Sequence, residues 1–87
     1  MSRLPVVSAK DLIRALEKEG FHVIRQKGSH VILQKRTASE TLTAVVPYHD
    51  EIAKGTLMSI LRKTKLSPEH LIKLLTLLLS ISPQIRP

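Results

Sequence analysis

The stretch Arg25-Gln26-Lys27-Gly28-Ser29-His30 gathers the side chains of this chain best suited to chemistry. It sets an imidazole after a short turn, beside a hydroxyl, a glycine that frees the backbone, and the cations Arg25 and Lys27. Cleaving RNA through its own 2′-hydroxyl requires a base for that hydroxyl, charge stabilisation at phosphorus, and a proton for the departing 5′-oxygen. Imidazole can serve as the base or the acid. Cations and backbone N–H groups can stabilise the charge. A histidine leaving a hairpin turn is also an ordinary surface residue in many proteins, so the stretch alone does not fix a reaction.

Other candidates carry less. His49 precedes the acidic pair Asp50-Glu51. It is a possible second proton-transfer group, or a turn histidine that helps to place the last helices. Neighbouring residues in one loop seldom converge on a single ion, so His49-Asp50-Glu51 reads as a solvated acidic turn and no metal site is expected. Gly20, Gly28 and Gly55 are too scattered for a phosphate loop or a dinucleotide motif, and no cofactor is implied. The absence of cysteine removes disulfides, Cys-ligated zinc and thiol nucleophiles. His22 ranks below His30 and His49, and His70 is expected on a solvent-facing side of the last helix. Lys10, in the first turn of a helix with free N–H groups, joins Arg25 and Lys27 as an expected holder of RNA phosphates. Lys18, Lys73 and Arg86 read as solubilising charges.

The elements that must position these groups are legible in the periodicity. Ala9, Leu12, Ile13 and Leu16 fall on one helical face between Ser8 and Glu19. Ser8 with Asp11 approximates a capping box, Val7 with Leu12 suits a hydrophobic staple, and Gly20 supplies the stop. Phe21 to Gln26, His30 to Arg36 and Thr41 to Val46 read as strands joined by short turns, with Pro47 ending the third or lying at an edge. Alternation places Phe21, Val23, Val31, Leu33, Leu42, Ala44 and Val46 inwards. His22, Gln26, His30 and Gln34 then point to an open face, with Ile24 and Ile32 half-exposed beside them. After the loop Tyr48 to Ala53, Leu57, Ile60 and Leu61 mark a second helix. Ser67-Pro68-Glu69 starts a third, with Leu71, Leu74, Leu75 and Leu78 on one face. Ile72, Leu77, Leu79 and Ile81 widen its apolar surface, Ser82-Pro83 should stop it, and the tail 82–87 should fray. The order α-β-β-β-α-α predicts an α+β layer, a three-stranded antiparallel sheet with helices on one face.

At 87 residues the chain is expected to form a single domain over 1–87, with a core from about 4 to 75 and a leucine-rich helix to about 81. Its 43% apolar and 24% charged residues are globular composition. No secretory signal is read at the start and no membrane span in the chain, so a cytoplasmic location is expected. Fourteen Lys+Arg against 7 Asp+Glu give a net charge of +7 and a pI near 10.3, the electrostatic footprint of a nucleic-acid binder. Phe21 and Tyr48 are the only aromatics, which disfavours readers that stack unpaired bases on an aromatic sheet and points to contacts with the RNA backbone.

Taken in order, Gly20-Phe21, Arg25-Gln26-Lys27-Gly28-Ser29-His30, Val46-Pro47 with His49, Gly55-Thr56-Leu57 through Ile60-Leu61, and Leu66-Ser67 resemble the HicA family, over about Leu4 to Leu75. These are the small toxins of HicAB toxin–antitoxin modules, also called YcfA-like proteins. The resemblance implies a fold like the double-stranded-RNA-binding domain, ribosome-independent cleavage of mRNA, and neutralisation by a HicB antitoxin. It also implies that His30, in Gly28-Ser29-His30, is the catalytic histidine and that Gly28 shapes its turn. The expected activity is that of a metal-independent endoribonuclease. The rival readings are a non-catalytic RNA-binding module of the same topology, or a basic protein-interaction domain. The leucine-rich helix extends past the usual end of the family, which suits burial in the core, against a second copy in a homo-oligomer, or against a partner.

Overall fold

The computed structural model describes residues 4–85, with side chains through Leu78. Ser8 begins the first helix as its spacing predicts: its Oγ accepts the Asp11 N–H at 3.1 Å. Helix α1 spans Ala9–Lys18 and buries Ala9, Leu12, Ala15 and Leu16. At its end the N–H groups of Gly20 and Phe21 donate to the carbonyls of Glu17 and Leu16 at 3.1 and 3.0 Å. That closure satisfies two carbonyls of the last turn and delivers Phe21 straight into the core.

The period then changes to that of strands. Strands β1 (His22–Lys27), β2 (His30–Arg36) and β3 (Thr41–Pro47) form an antiparallel meander in the order β1-β2-β3. Pro47 is the last residue of an edge strand, where its missing N–H breaks no ladder bond. Val31, Leu33, Ala44 and Val46 are buried beneath the helices, while Ile32, Gln34, Thr43 and Val45 lie on the open side. Leu42 is half-buried against the core.

Two strand assignments need correction. Val23 pairs with Leu33 on the core side yet stays 44% exposed, because β1 is the outer strand and all of its residues are exposed. Gln26 pairs with buried Val31 and so leaves the open face, where strict alternation from Phe21 would have put it. The cause is a register shift between Val23 and Arg25.

Helix α2 (Lys54–Thr64) buries Leu57, Ile60, Leu61 and Thr64, and ends at Lys65, which adopts φ +62°. Helix α3 spans Pro68–Ile85, and its capping Ser67 Oγ accepts the His70 N–H at 3.0 Å. Leu71 and Leu74 complete the core. Complete burial of a large aliphatic side chain is worth about 1.5–3 kcal/mol, so α3 contributes substantially to stability. Ile72 and Leu77 remain exposed; the side chains of Leu79 and Ile81 lie outside the described residues. The helix continues past Ser82-Pro83, the expected stop, because one proline deletes a single rung of the ladder without ending it. Of the expected frayed tail, residues 86–87 lie outside those described. His70 is not simply solvent-facing: its Nε2 lies 2.8 Å from Glu19 Oε2 and links the start of α3 to the end of α1.

The architecture is therefore the α-β-β-β-α-α, α+β arrangement that the sequence predicts.

Candidate functional site

The β1–β2 connection is a two-residue loop, Gly28-Ser29, closed by the cross-strand pair Lys27 and His30. Of the two loop residues only Gly28 has positive φ, at +60°, the pattern of a II′ hairpin with glycine in its first central position. No atom stands within 4 Å of where a Gly28 Cβ would be, so the requirement for glycine is conformational rather than steric. Directly opposed residues of an antiparallel pair project to the same face. Lys27 and His30 accordingly stand side by side on the open face, and both are exposed.

The register shift decides what accompanies them. Val23 pairs with Leu33, but Arg25 pairs with Ile32, leaving Ile24 as the extra residue of a β-bulge. At the turn end, Arg25 and Lys27 share the face of His30, separated along β1 by two residues, about 7 Å. At the far end, His22 keeps that same face through its pairing with Gln34. It lies about 13 Å from the position of His30, four residues along β2, too far for both rings to serve one phosphodiester. Gln26 points away from the site, and its amide Nε2 lies 3.4 Å from the Gly28 carbonyl, a long contact that braces the turn.

Other parts of the chain close in on the same end. Pro47 is the cross-strand partner of His30 on the other side, and the Tyr48 N–H donates to the Ser29 carbonyl at 2.7 Å. The next residue, His49, donates its N–H to the Pro47 carbonyl and accepts the Ala9 N–H, both at 2.9 Å. Ile52 donates to the Val7 carbonyl at 2.9 Å. Through these bonds His49 and Lys10, the residue after Ala9, are brought to the end of the molecule that carries His30. All are exposed. Among the described residues, no hydrogen bond or ion pair occupies the side chains of Arg25, Lys27 or His30. A cluster of unpaired cations around an exposed imidazole is equipped to meet an anion and move a proton. Among the described residues no three His, Asp or Glu side chains come together as a metal site.

The family model described as HicA toxin of bacterial toxin–antitoxin matches residues 9–66 of the 87. The chain belongs to the HicA toxin family. The match takes in α1, the whole sheet, the Gly28-Ser29-His30 turn and α2, and it stops before α3. No curated protein shows significant similarity to the chain. HicA membership makes this a toxin of a toxin–antitoxin pair, with an antitoxin as its partner. No helix among the described residues is long and apolar enough to cross a membrane.

One residue beside this candidate site escaped the sequence reading. Tyr48, 47% exposed, is fixed at the lip of the turn by its bond to Ser29. Its place just after the strand-ending Pro47 was visible in the sequence, but its meeting with a residue nineteen positions earlier was not.

Proposed function

We propose that this HicA toxin is a metal-independent endoribonuclease that cleaves mRNA, with His30 as general base or general acid. The observation that carries this reading is the exposed His30 ring on the same face as Lys27 and Arg25, at the end of the sheet reached by Lys10 and His49. In the reaction, the 2′-oxygen of a ribose bonds to the adjacent phosphorus while the bond from phosphorus to the 5′-oxygen breaks. The base removes the 2′-hydroxyl proton, the acid protonates the departing 5′-oxygen, and a 2′,3′-cyclic phosphate and a 5′-hydroxyl result. Arg25, Lys27 and Lys10 hold the phosphates, where positive charge stabilises the extra negative charge of the transition state. His49 is the candidate for the second proton transfer. Its approach to the same end of the molecule supports that role, although its backbone bonds to Pro47 and Ala9 equally explain its position as structural.

Incubation of purified toxin with end-labelled RNA in EDTA tests the proposal. Fragments ending in cyclic phosphate are expected with the wild type and none with His30→Ala, which should retain its fold and its binding to the antitoxin. Full cleavage by His30→Ala refutes the assignment. Retention of intact RNA by the wild type would instead favour a non-catalytic RNA-binding module, and absence of RNA affinity at moderate salt a basic protein-interaction domain.

A further inference from the structure

Phe21 is buried in the core, which leaves Tyr48 as the sole exposed ring among the phenylalanine, tyrosine and tryptophan side chains. From this we infer that Tyr48 is a stacking platform for one unpaired base of the bound strand, beside the phosphodiester presented to His30. The inference rests on the ribonuclease reading above and adds a base-binding position to it.

Three observations support it together. First, the ring is 47% exposed, and among the described residues neither it nor its hydroxyl has a hydrogen-bond or ring partner. Second, its backbone is held in place. The Tyr48 N–H is bound to Ser29 at 2.7 Å, Pro47 before it is in the ladder, and the His49 N–H after it is bound to the Pro47 carbonyl. Only the two side-chain torsions are left to order on binding, so a tyrosine here offers a large contact area at small entropic cost. Third, its placement is next to the cations rather than across the molecule from them: it follows the cross-strand partner of His30 and is bonded to the residue before His30. On this inference, a strand whose phosphate lies against Lys27 and His30 carries its adjoining base to the rim where Tyr48 follows Pro47. Every base has a π-face, so such a platform tolerates many sequences while requiring that the base be unpaired. Preference for single-stranded over duplex RNA is the functional consequence.

Tyr48 is the only tyrosine in a chain without tryptophan, so intrinsic tyrosine emission reports on this one ring. The full-length wild-type toxin is titrated at low salt with a 2′-O-methyl oligouridylate of about ten nucleotides, a length within usual single-strand site sizes. This probe lacks the attacking hydroxyl and cannot be cleaved by 2′-oxygen attack. Inorganic polyphosphate of matched charge serves as the base-free control, and free N-acetyltyrosinamide corrects for absorption. Saturable quenching by the oligonucleotide and little by polyphosphate is expected. Because these variants carry no tyrosine, affinities are compared by isothermal titration calorimetry: Tyr48→Ala should weaken oligonucleotide binding about ten-fold while leaving polyphosphate binding unchanged, and Tyr48→Phe should bind within about two-fold of wild type, as stacking energies imply.

Equal quenching by both polymers, or unchanged oligonucleotide affinity in Tyr48→Ala, overturns the inference and leaves His30-dependent cleavage standing. If neither polymer binds, the ribonuclease reading fails and takes this one with it.

Discussion

Arg25 stands opposite Ile32 in the β1–β2 ladder, whereas two residues earlier Val23 stands opposite Leu33. Two steps along one strand thus match a single step along the other, and Ile24 absorbs the difference. The bulge reconciles two demands that strict alternation could not meet together. Near the start of the strand Val23 faces the side of the core, and near its end Arg25 and Lys27 face the side of His30. Bulges re-aim side chains near functional sites and also blunt exposed sheet edges, and β1 is such an edge.

If Arg25 holds a phosphate on that face, RNA affinity should fall steeply with salt, and Arg25→Ala should make the slope of log affinity against log salt shallower by about 0.7, the value for one single-strand phosphate contact. Gln26→Ala, on the opposite face, should leave the slope unchanged. Filter binding of uncleavable RNA across a salt series measures both. A flat response in the wild type would contradict phosphate-led binding.

The glycines of the turn and of α2 should respond to alanine with opposite signs. Gly28→Ala forces an L-residue to φ +60°, which should destabilise by about 1–2 kcal/mol and lower the melting temperature by several degrees. Gly55 lies in the first turn of α2 with open space around its Cβ position. Gly55→Ala should therefore stabilise by up to about 1 kcal/mol through helix propensity. Thermal melts of the pair check this, and an unchanged Gly28→Ala melt would show that the turn does not depend on the left-handed conformation.

Helix α3 lies beyond the matched family region but not beyond the core. Leu71 is fully buried and Leu74 nearly so. Leu71→Ala should lose about 2–5 kcal/mol in urea unfolding, whereas Leu77→Ala, on the exposed side, should stay within about 0.5 kcal/mol. Truncation after Leu66 should give a chain that does not fold cooperatively. A truncated protein with a normal melt would show that α3 is an appendage.

Lys65 closes α2 in the left-handed region, where glycine is the usual occupant, and its Nζ lies 2.6 Å from Glu40 Oε2. Both side chains are substantially exposed, so the pair contributes about 0–1 kcal/mol and is screened by salt. Lys65→Gly removes the backbone strain and should raise the melting temperature at high salt, with a smaller gain at low salt where the ion pair is lost. Melts at the two ionic strengths read out the difference directly.

Much of this architecture is local and was legible for that reason. A serine three residues before an N–H that needs a partner, a Ser-Pro-Glu helix start, and a glycine between two β-branched runs each act within a few positions, and α1, α3 and the Gly28 turn form where those signals stand. The identity of His30 as the candidate centre was likewise a matter of neighbours in sequence, and so was the family resemblance, now supported by the match over residues 9–66.

What the chain could not reveal by itself depends on groups that meet only after folding. The bulge at Ile24 lets Val23 pair with Leu33 on the side of the core while the hairpin sets Lys27 against His30, and periodicity along one strand contains only half of that relationship. His70 finds Glu19 fifty-one positions away, and Tyr48 finds Ser29 across the sheet, so neither partner could be read from spacing. Residue types and short-range geometry determined the elements and the chemistry on offer. The tertiary structure decided which of those side chains share a face, because pairing between distant strands, not the order of residues, sets the side on which each one emerges.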